Sequence, residues 1–153
     1  MSRIEDRLTE LGLKLPNVSK PVAAYVPAIV TGNLVYTAGQ LPMVDGKLEV
    51  TGKVGAAVSP EDAAKLARTC ALNALAAVES VIGSLDRVTR IVKVVGFVGS
   101  AADFTAHAVV VNGASELLGE VFGEPGQHAR SSVGVAVLPM DAPVEIELIV
   151  EFA

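Results

Sequence analysis

The sequence predicts an α+β fold with the element order β-β-β-α-β-α-β-β, in which two helices pack on one face of a mixed sheet. The clearest helix follows Ser59 and Pro60, a capping residue and a residue suited to the first turn, and is apolar at every third or fourth position. The strongest strand signals are the β-branched run 88–98 and the apolar-polar alternation of 144–152. We expect all 153 residues to form one domain.

The segment before the long helix is predicted to contain a short helix, a linker and three strands. Ser2, with Glu5 three residues later, can cap an amphipathic helix over 2–13. Asp45 and Gly46 mark a turn before the third strand. The linker and the three strands are predicted at 16–21, 25–30, 34–38 and 48–50. Residues 1–20 therefore form an N-terminal helix and linker added to the domain.

The long helix is predicted to end at Gly83 and to bury one alanine-rich face. The residues of that face are Ala63, Leu66, Cys70, Ala74, Ala77 and Val81. Small side chains allow the helix to approach a sheet closely. Because Cys70 lies on the buried face, we interpret it as a core residue rather than a nucleophile. A single cysteine excludes an internal disulfide and is typical of a reducing cytoplasm.

The second half of the chain is predicted as strand, helix and two strands. Ser100 with Asp103 offers a cap for a helix that ends at Phe122, although the valines of 109–111 disfavour a helix and leave its start open. The last strands are predicted at 130–138 and 144–152.

The short link between the last two strands predicts that they run antiparallel, because a parallel return needs about a dozen residues. Arg130 and Glu145 each begin a strand. They should then lie at opposite ends of the sheet, separated by roughly seven residues at about 3.3 Å each. A site that uses both side chains would have to span two subunits.

Composition excludes several classes of protein. A net charge of −5, no basic cluster and no Trp argue against a nucleic-acid surface. No apolar run reaches the roughly 18 residues of a membrane span, and the N-terminus lacks the apolar core of a signal peptide, so a cytoplasmic location is expected. With 51% hydrophobic and 19% charged residues, the chain is expected to bury surface in an oligomer.

The sequence contains no recognisable metal or cofactor motif. His107 and His128 have no second ligand at metal-binding spacing, the glycines match no phosphate loop, and there is no Gly-x-Ser-x-Gly segment. We therefore predict no metal and no cofactor. His128 precedes the Arg130 strand, and it is either close to a site or an exposed loop residue.

Arg130 is the most informative single residue, because it stands at the start of an apolar run. A guanidinium has five donors, and its planar shape suits a carboxylate bound through two hydrogen bonds. One interpretation is an internal ion pair with Glu or Asp. The other is a binding site for a carboxylate ligand.

Several segments together resemble the RidA family, also called YjgF/YER057c/UK114. They are Tyr25-Val-Pro, 31–42 (TGNLVYTAGQLP), Phe97-Val, Asp103-Phe, Val111-Asn112, 129–135 (ARSSVGV), Leu138-Pro139 and 144–147 (VEIE). The resemblance implies a chorismate-mutase-like fold and a homotrimer with ligand clefts between subunits. It also implies hydrolysis of reactive enamines and imines, such as 2-aminoacrylate, to 2-keto acids and ammonia without a cofactor.

The resemblance also implies roles for individual residues. Arg130 matches the family's carboxylate-binding arginine, and Glu145 matches its acidic residue; these two are the expected catalytic pair. The expected substrate-binding residues are Tyr25, Gly39, Asn112 and Ser132. Tyr25 could instead be an amphipathic residue at a subunit seam, and Asn112 a helix residue bonded to a nearby loop.

The chain departs from the family pattern at two positions. Ala38 stands where active members usually carry Ser, and Ser132 where many carry Cys. The extra N-terminal helix is a further difference. These departures keep three hypotheses open: an imine deaminase, a non-catalytic trimer that senses keto acids or other carboxylates, and a stress-linked holdase. The endoribonuclease activity also ascribed to the family receives little support from the acidic charge.

Overall fold

The computed structural model describes residues 2–18 and 24–153, so the predicted linker 16–21 lies partly outside the described residues. The helices and strands in chain order are α1 (Arg3–Glu10), β1 (Ala28–Thr31), β2 (Leu34–Thr37), β3 (Met43–Val44), β4 (Lys47–Leu48), α2 (Pro60–Ile82), β5 (Val88–Gly99), α3 (His107–Phe122), β6 (Ala129–Val135) and β7 (Val144–Phe152). None of the helices within the described ranges is long and apolar enough to cross a membrane.

Five strands form one mixed sheet in the order β1-β2-β7-β5-β6. β5 and β6 are parallel, and all other neighbours in this sheet are antiparallel. The parallel pair requires a crossover, which α3 supplies. α2 and α3 pack against each other and against the buried face of β5 and β7. The predicted α+β class with two helices on one face of a mixed sheet is confirmed.

The boundaries of α2 agree with the predicted caps. The Ser59 side chain accepts a hydrogen bond from the backbone N of Asp62 at 3.1 Å, and Gly83 ends the helix with a φ of 88°. Cys70 is fully buried in the core, as predicted, and burial raises the pKa of its thiol. Val81 is 39% exposed, so its predicted burial is wrong. At 3.6 residues per turn the buried face reaches Ile82 instead.

Two predicted element positions before and after α2 are wrong. The strand predicted at 48–50 covers only Lys47–Leu48 (β4), and β3 and β4 form a small separate hairpin around Asp45 and Gly46, which both have positive φ. The second helix begins at His107 rather than near Ser100, and its capping residue makes no side-chain hydrogen bond. The Ser100 hydroxyl bonds the His107 ring and not the backbone of a helix. The valine run is helical because Val110 and Val111 are fully buried, and this packing outweighs their low propensity.

The prediction that the last two strands run antiparallel is confirmed, although these strands are not neighbours in the sheet. β6 and β7 do run in opposite directions, but β5 lies between them and pairs with both. The link at 139–143 therefore crosses the end of β5 and is not a hairpin turn. β7 is the third of the five strands, and β6 is at an edge.

Helix α1 is anchored on the surface by Asp86. This carboxylate accepts hydrogen bonds from the Ser2 hydroxyl at 2.9 Å and from the backbone N of Arg3 and Ile4 at 3.0 and 2.8 Å. The bond from Ile4 is the main reason that the pKa of Asp86 is lowered. An eight-residue helix is marginal on its own, so the burial of Ile4 and Leu8 and this cap together stabilise it.

Gly113 allows the two long helices to pack in close contact. A Cβ at this position would lie 1.8 Å from the backbone O of Ala64 in α2. We therefore expect Gly113→Ala to lower the free energy of unfolding by about 1–3 kcal/mol, the usual cost of overpacking. The measurement is urea unfolding followed by circular dichroism.

Gly119→Ala is the matched control, because it lies in the same helix and its Cβ would have nothing within 4 Å. This change should raise the free energy of unfolding by roughly 0.5–1 kcal/mol through helix propensity. If both variants are equally stable, then the close approach at Gly113 does not constrain the helix pair.

Candidate functional site

Arg130 projects from β6 onto the side of the sheet that the helices cover. Its Nη1 donates to Oδ1 of Asn112 at 2.7 Å and to Oγ of Ser115 at 3.1 Å. Asn112 and Ser115 are three residues apart in α3 and so lie on one face of that helix. Two helix side chains therefore hold one edge of the guanidinium in place.

The rest of the Arg130 guanidinium has no carboxylate partner among the residues that the structure describes. Within the described residues the ion pairs are Arg7–Glu10, Lys53–Asp141 and Arg68–Glu120. The internal ion pair that was one interpretation of Arg130 is thus not found in the described part of the chain. Both acceptors of its hydrogen bonds are neutral, so a half-buried positive charge is left without a neutralising group. This arrangement suits an anionic ligand with two acceptor oxygens.

Ser132 follows Arg130 on the same face of β6, and its backbone pairs with Gly96 of β5. Its Oγ is buried and has no hydrogen-bond partner among the described residues. A buried hydroxyl without a partner costs about 1–3 kcal/mol, so such an atom indicates a missing partner.

Glu145 lies on the opposite, uncovered side of the sheet, where it alternates with the buried Val144 and Ile146. Gly39 packs directly against its side chain, and a Cβ on Gly39 would lie 2.0 Å from Oε1 of Glu145. Partial burial, with a smaller contribution from Glu147, raises the pKa of the Glu145 carboxyl. A carboxyl with a raised pKa exchanges protons more readily near neutral pH.

Tyr25 lies at the same end of the sheet as Gly39. The backbone N of Ala38 bonds the O of Pro27 at 2.8 Å, which joins the segment before β1 to the segment after β2. The first strand begins at Ala28 rather than at 25, since Pro27 has no N–H to pair. The Tyr25 side chain is 56% exposed.

The six residues predicted for the site therefore form two groups. Arg130, Asn112 and Ser132 line the helix-covered side, whereas Tyr25, Gly39 and Glu145 lie near the start of β7.

The predicted separation of Arg130 and Glu145 by seven residues is wrong. Both pair with β5, Arg130 opposite Val94 and Glu145 opposite Phe97. They are thus about 10 Å apart along the strands, about 10 Å across them, and on opposite faces.

His128 lies in the short loop that precedes β6, two residues before Arg130. It is half-buried, and its Nδ1 is 3.1 Å from the O of Ala129. Burial and the positive charge of Arg130 lower its pKa, although the bond to Ala129 acts in the opposite direction. Among the residues that the structure describes, no group of three or more His, Cys, Asp or Glu side chains could hold a metal ion.

Ser115 and the pair Ser100–His107 were missed by sequence reasoning. The three-residue spacing of Asn112 and Ser115 was a usable signal, because it places two polar groups on one helix face. No signal joined Ser100 to His107, since the predicted cap used the Ser100 hydroxyl for the backbone.

The model of the family described as "YjgF/chorismate mutase-like, putative endoribonuclease" matches residues 5–152. The chain belongs to this YjgF/RidA family. It is 42% identical over 150 residues to protein TCP17 of Trypanosoma cruzi, covering 97% of this chain and 94% of the relative. It is 36% identical to the 2-iminobutanoate/2-iminopropanoate deaminase of Dermatophagoides farinae, covering 90% of this chain and 93% of that protein.

A solved structure has the same fold over nearly the whole chain. The crystal structure of Atu1372 from Agrobacterium tumefaciens, a protein of unknown function, superposes with a TM-score of 0.92 at 48% identity. The match covers 99% of this chain and 93% of that chain. The fold shared with that protein thus includes the N-terminal helix.

The unneutralised guanidinium of Arg130 predicts that small carboxylates bind beside it. Arg130→Lys keeps the charge but loses the planar donor pair, so we expect the affinity for pyruvate to fall at least about tenfold, the weight of one hydrogen bond to a charged group. Isothermal titration calorimetry measures this change.

Arg68→Ala is the control, since it removes an arginine whose surface pair with Glu120 lies elsewhere. Its pyruvate affinity should stay within about twofold, as expected for a distant surface residue. Loss of the native circular dichroism spectrum in Arg130→Lys would instead show that Arg130 has a structural role.

Proposed function

We propose that this protein is an imine deaminase that hydrolyses small 2-imino acids, and the enamines in equilibrium with them, to 2-keto acids and ammonia. The observation that carries the proposal is the Arg130 guanidinium, held by Asn112 and Ser115 with no carboxylate partner in the described chain. Support also comes from the relative that is named a 2-iminobutanoate/2-iminopropanoate deaminase. The proposed substrates are small molecules that carry a carboxylate next to the reacting carbon.

The proposed reaction needs positioning more than activation. Arg130 binds the substrate carboxylate through two charge-assisted hydrogen bonds and so fixes the imine carbon. The oxygen of a water molecule forms a bond to this carbon, and the C=N electron pair moves to nitrogen. The water proton passes to nitrogen, the C–N bond breaks, the carbonyl forms, and ammonia leaves. No oxidant or reductant is consumed, so the residues need no redox partner.

Glu145 is the proposed acid-base group. In its ionised form it accepts the proton of the attacking water and returns it to the departing nitrogen. Its raised pKa brings the carboxyl closer to neutral pH, where such transfers are most effective. Gly39 leaves room for the carboxyl, because any side chain at that position would collide with it.

The proposed site lies between subunits of a homotrimer. Arg130 and Glu145 lie on opposite faces of one sheet, so one chain cannot direct both at one substrate. The face that carries Glu145 is also unusually apolar for a free surface, with Ile29 58% exposed beside Tyr36 and with Val133 44% exposed on the opposite edge strand. A second copy that covers this face would bring its own Arg130 toward the Glu145 of its neighbour.

Endoribonuclease activity, which the family description names, is the less favoured function. A net charge of −5 gives little attraction for a phosphate backbone. A carboxylate sensor without turnover uses the same Arg130 site, and the substitutions Ala38 and Ser132 keep it as the second candidate. Turnover measurements separate the sensor from the enzyme.

The trimer predicts a mass about three times that of the 15.7 kDa chain, because three copies close a ring of shared clefts. Multi-angle light scattering at micromolar concentration measures it. Val133→Glu places a charge on the apolar face and should shift the protein toward monomer, whereas Glu61→Lys on the exposed start of α2 should not. A wild-type monomer would contradict the shared site.

Glu145→Gln should lower kcat for imine hydrolysis at least about tenfold, because the amide cannot accept the water proton. Binding of 2-oxobutanoate should remain within about twofold, since the carboxylate is bound by Arg130. The assay generates imines with an amino acid oxidase and follows the loss of the imine.

Glu147→Gln is the matched control, two residues along the same face of β7. It removes the smaller of the two influences that raise the pKa of Glu145. The rate of hydrolysis depends on ionised Glu145, so it falls as the pH drops through the pKa of this carboxyl. Because Glu147→Gln lowers that pKa, the rate of the variant should fall at a lower pH than that of the wild type. Keto-acid binding without any acceleration of imine loss by the wild type would leave only the sensor.

A further inference from the structure

A second polar group lies at the far end of β6 from Arg130 and is not used by the chemistry proposed above. It borders a cavity of about 630 Å³. The lining includes Lys53, Ser100, Phe104, His107, Gly134 and Val135. Most of this lining is apolar, and its polar groups are few and close together, as is typical of small-molecule sites.

Ser100 and His107 form the centre of this group. Oγ of Ser100 is 3.2 Å from Nε2 of His107, and the His107 ring packs edge-on against Phe104 with centroids 5.3 Å apart. Gly134 leaves space for the pair: a Cβ there would lie 2.5 Å from Nε2 of His107 and 2.8 Å from Oγ of Ser100. The backbone of β6 thus approaches the pair closely, and any larger residue would displace it.

The Ser100–His107 pair has a hydrogen donor to spare in either tautomer of the neutral ring. If Nε2 carries the proton and donates to Ser100, the Ser100 hydroxyl is free to donate to a ligand. If the hydroxyl donates to Nε2, the proton of His107 is on Nδ1 and is free instead. Lys53 has three donors, of which Asp141 uses one. The cavity is therefore suited to a hydrogen-bond acceptor.

The cavity and Arg130 lie along one line on the same side of the sheet. Gly134 and Arg130 face the same way in β6, opposite Val98 and Val94 of β5. Helix α3 runs beside them from His107 to Asn112 and Ser115, which are five and eight residues further on. At 1.5 Å per residue, the two polar ends are about 8–12 Å apart. Ser132 lies between them in β6.

We propose that Ser100 and His107 recognise a second acceptor at the distal end of the substrate, so that the preferred substrates are 2-imino acids with a side-chain carboxylate or amide. This inference rests on the proposed function, in which Arg130 binds the first carboxylate. Two hydrogen bonds of about 2.9 Å leave about 2–6 Å between the two acceptors. A five-carbon diacid can meet this spacing, whereas a short apolar imino acid has no second acceptor.

The test compares two five-carbon keto acids that differ only in the distal group, 2-oxoglutarate and 2-oxopentanoate. Isothermal titration calorimetry of the full chain should show at least about tenfold tighter binding of 2-oxoglutarate, the effect of one hydrogen bond to a charged group. Ser100→Ala and His107→Phe should remove this preference and leave the affinity for 2-oxopentanoate within about twofold. Gly134→Ala should do the same by displacing His107.

Glu116→Gln is the control, an exposed position on the same helix, and should keep both affinities. The distal site is contradicted if the wild type binds the two acids equally. It is also contradicted if the Ser100 and His107 variants weaken the binding of both acids to the same extent. If the distal site is overturned in this way but Arg130→Ala no longer binds either acid, the proposed function is still supported without the distal site. If the wild type binds neither acid, both proposals fail together.

Discussion

The pairing of β5 with β6 on one side and with β7 on the other determines where the chemically important side chains lie. Because β5 separates these two strands, Arg130 and Glu145 are about two strand spacings apart. The register then places Arg130 toward the helices and Glu145 on the uncovered face. A shift of one residue in either pairing would send each side chain to the other face.

Helix α3 gives this sheet its binding surface. Its close contact with α2 at Gly113 and with β5 at Gly96 fixes its height above β6. That height allows Asn112 and Ser115 to reach the Arg130 guanidinium, and it places His107 against Gly134. A movement of the helix by about an ångström would break these bonds, so packing in the core and geometry in the site depend on the same contacts.

Three features of the single chain lack an interaction partner. Within residues 2–18 and 24–153, Arg130 is a half-buried charge without a carboxylate partner, and Ser132 has a buried hydroxyl without a hydrogen-bond partner. The face of Glu145 exposes apolar side chains. A ligand would neutralise the charge of Arg130, and a second subunit would cover the apolar face. The proposed shared cleft accounts for both through one arrangement, in which the apolar face that drives association also presents the acid-base group.

The sequence alone determined the features that depend on neighbours along the chain. The Ser59 cap and the Gly83 end of α2, the burial of Cys70 and the alternation of β7 all follow from local spacing, and the family motifs around Arg130 and Glu145 are read in the same way. The order of strands and the start of α3 were decided only by tertiary structure. β5 enters between β6 and β7 because its apolar face completes the core, and the valine run becomes helical because burial outweighs its propensity. The bond from Arg130 to Ser115 and the pairing of Ser100 with His107 join residues whose separation in sequence carries no sign of contact, since only packing of α3 on the sheet brings them together.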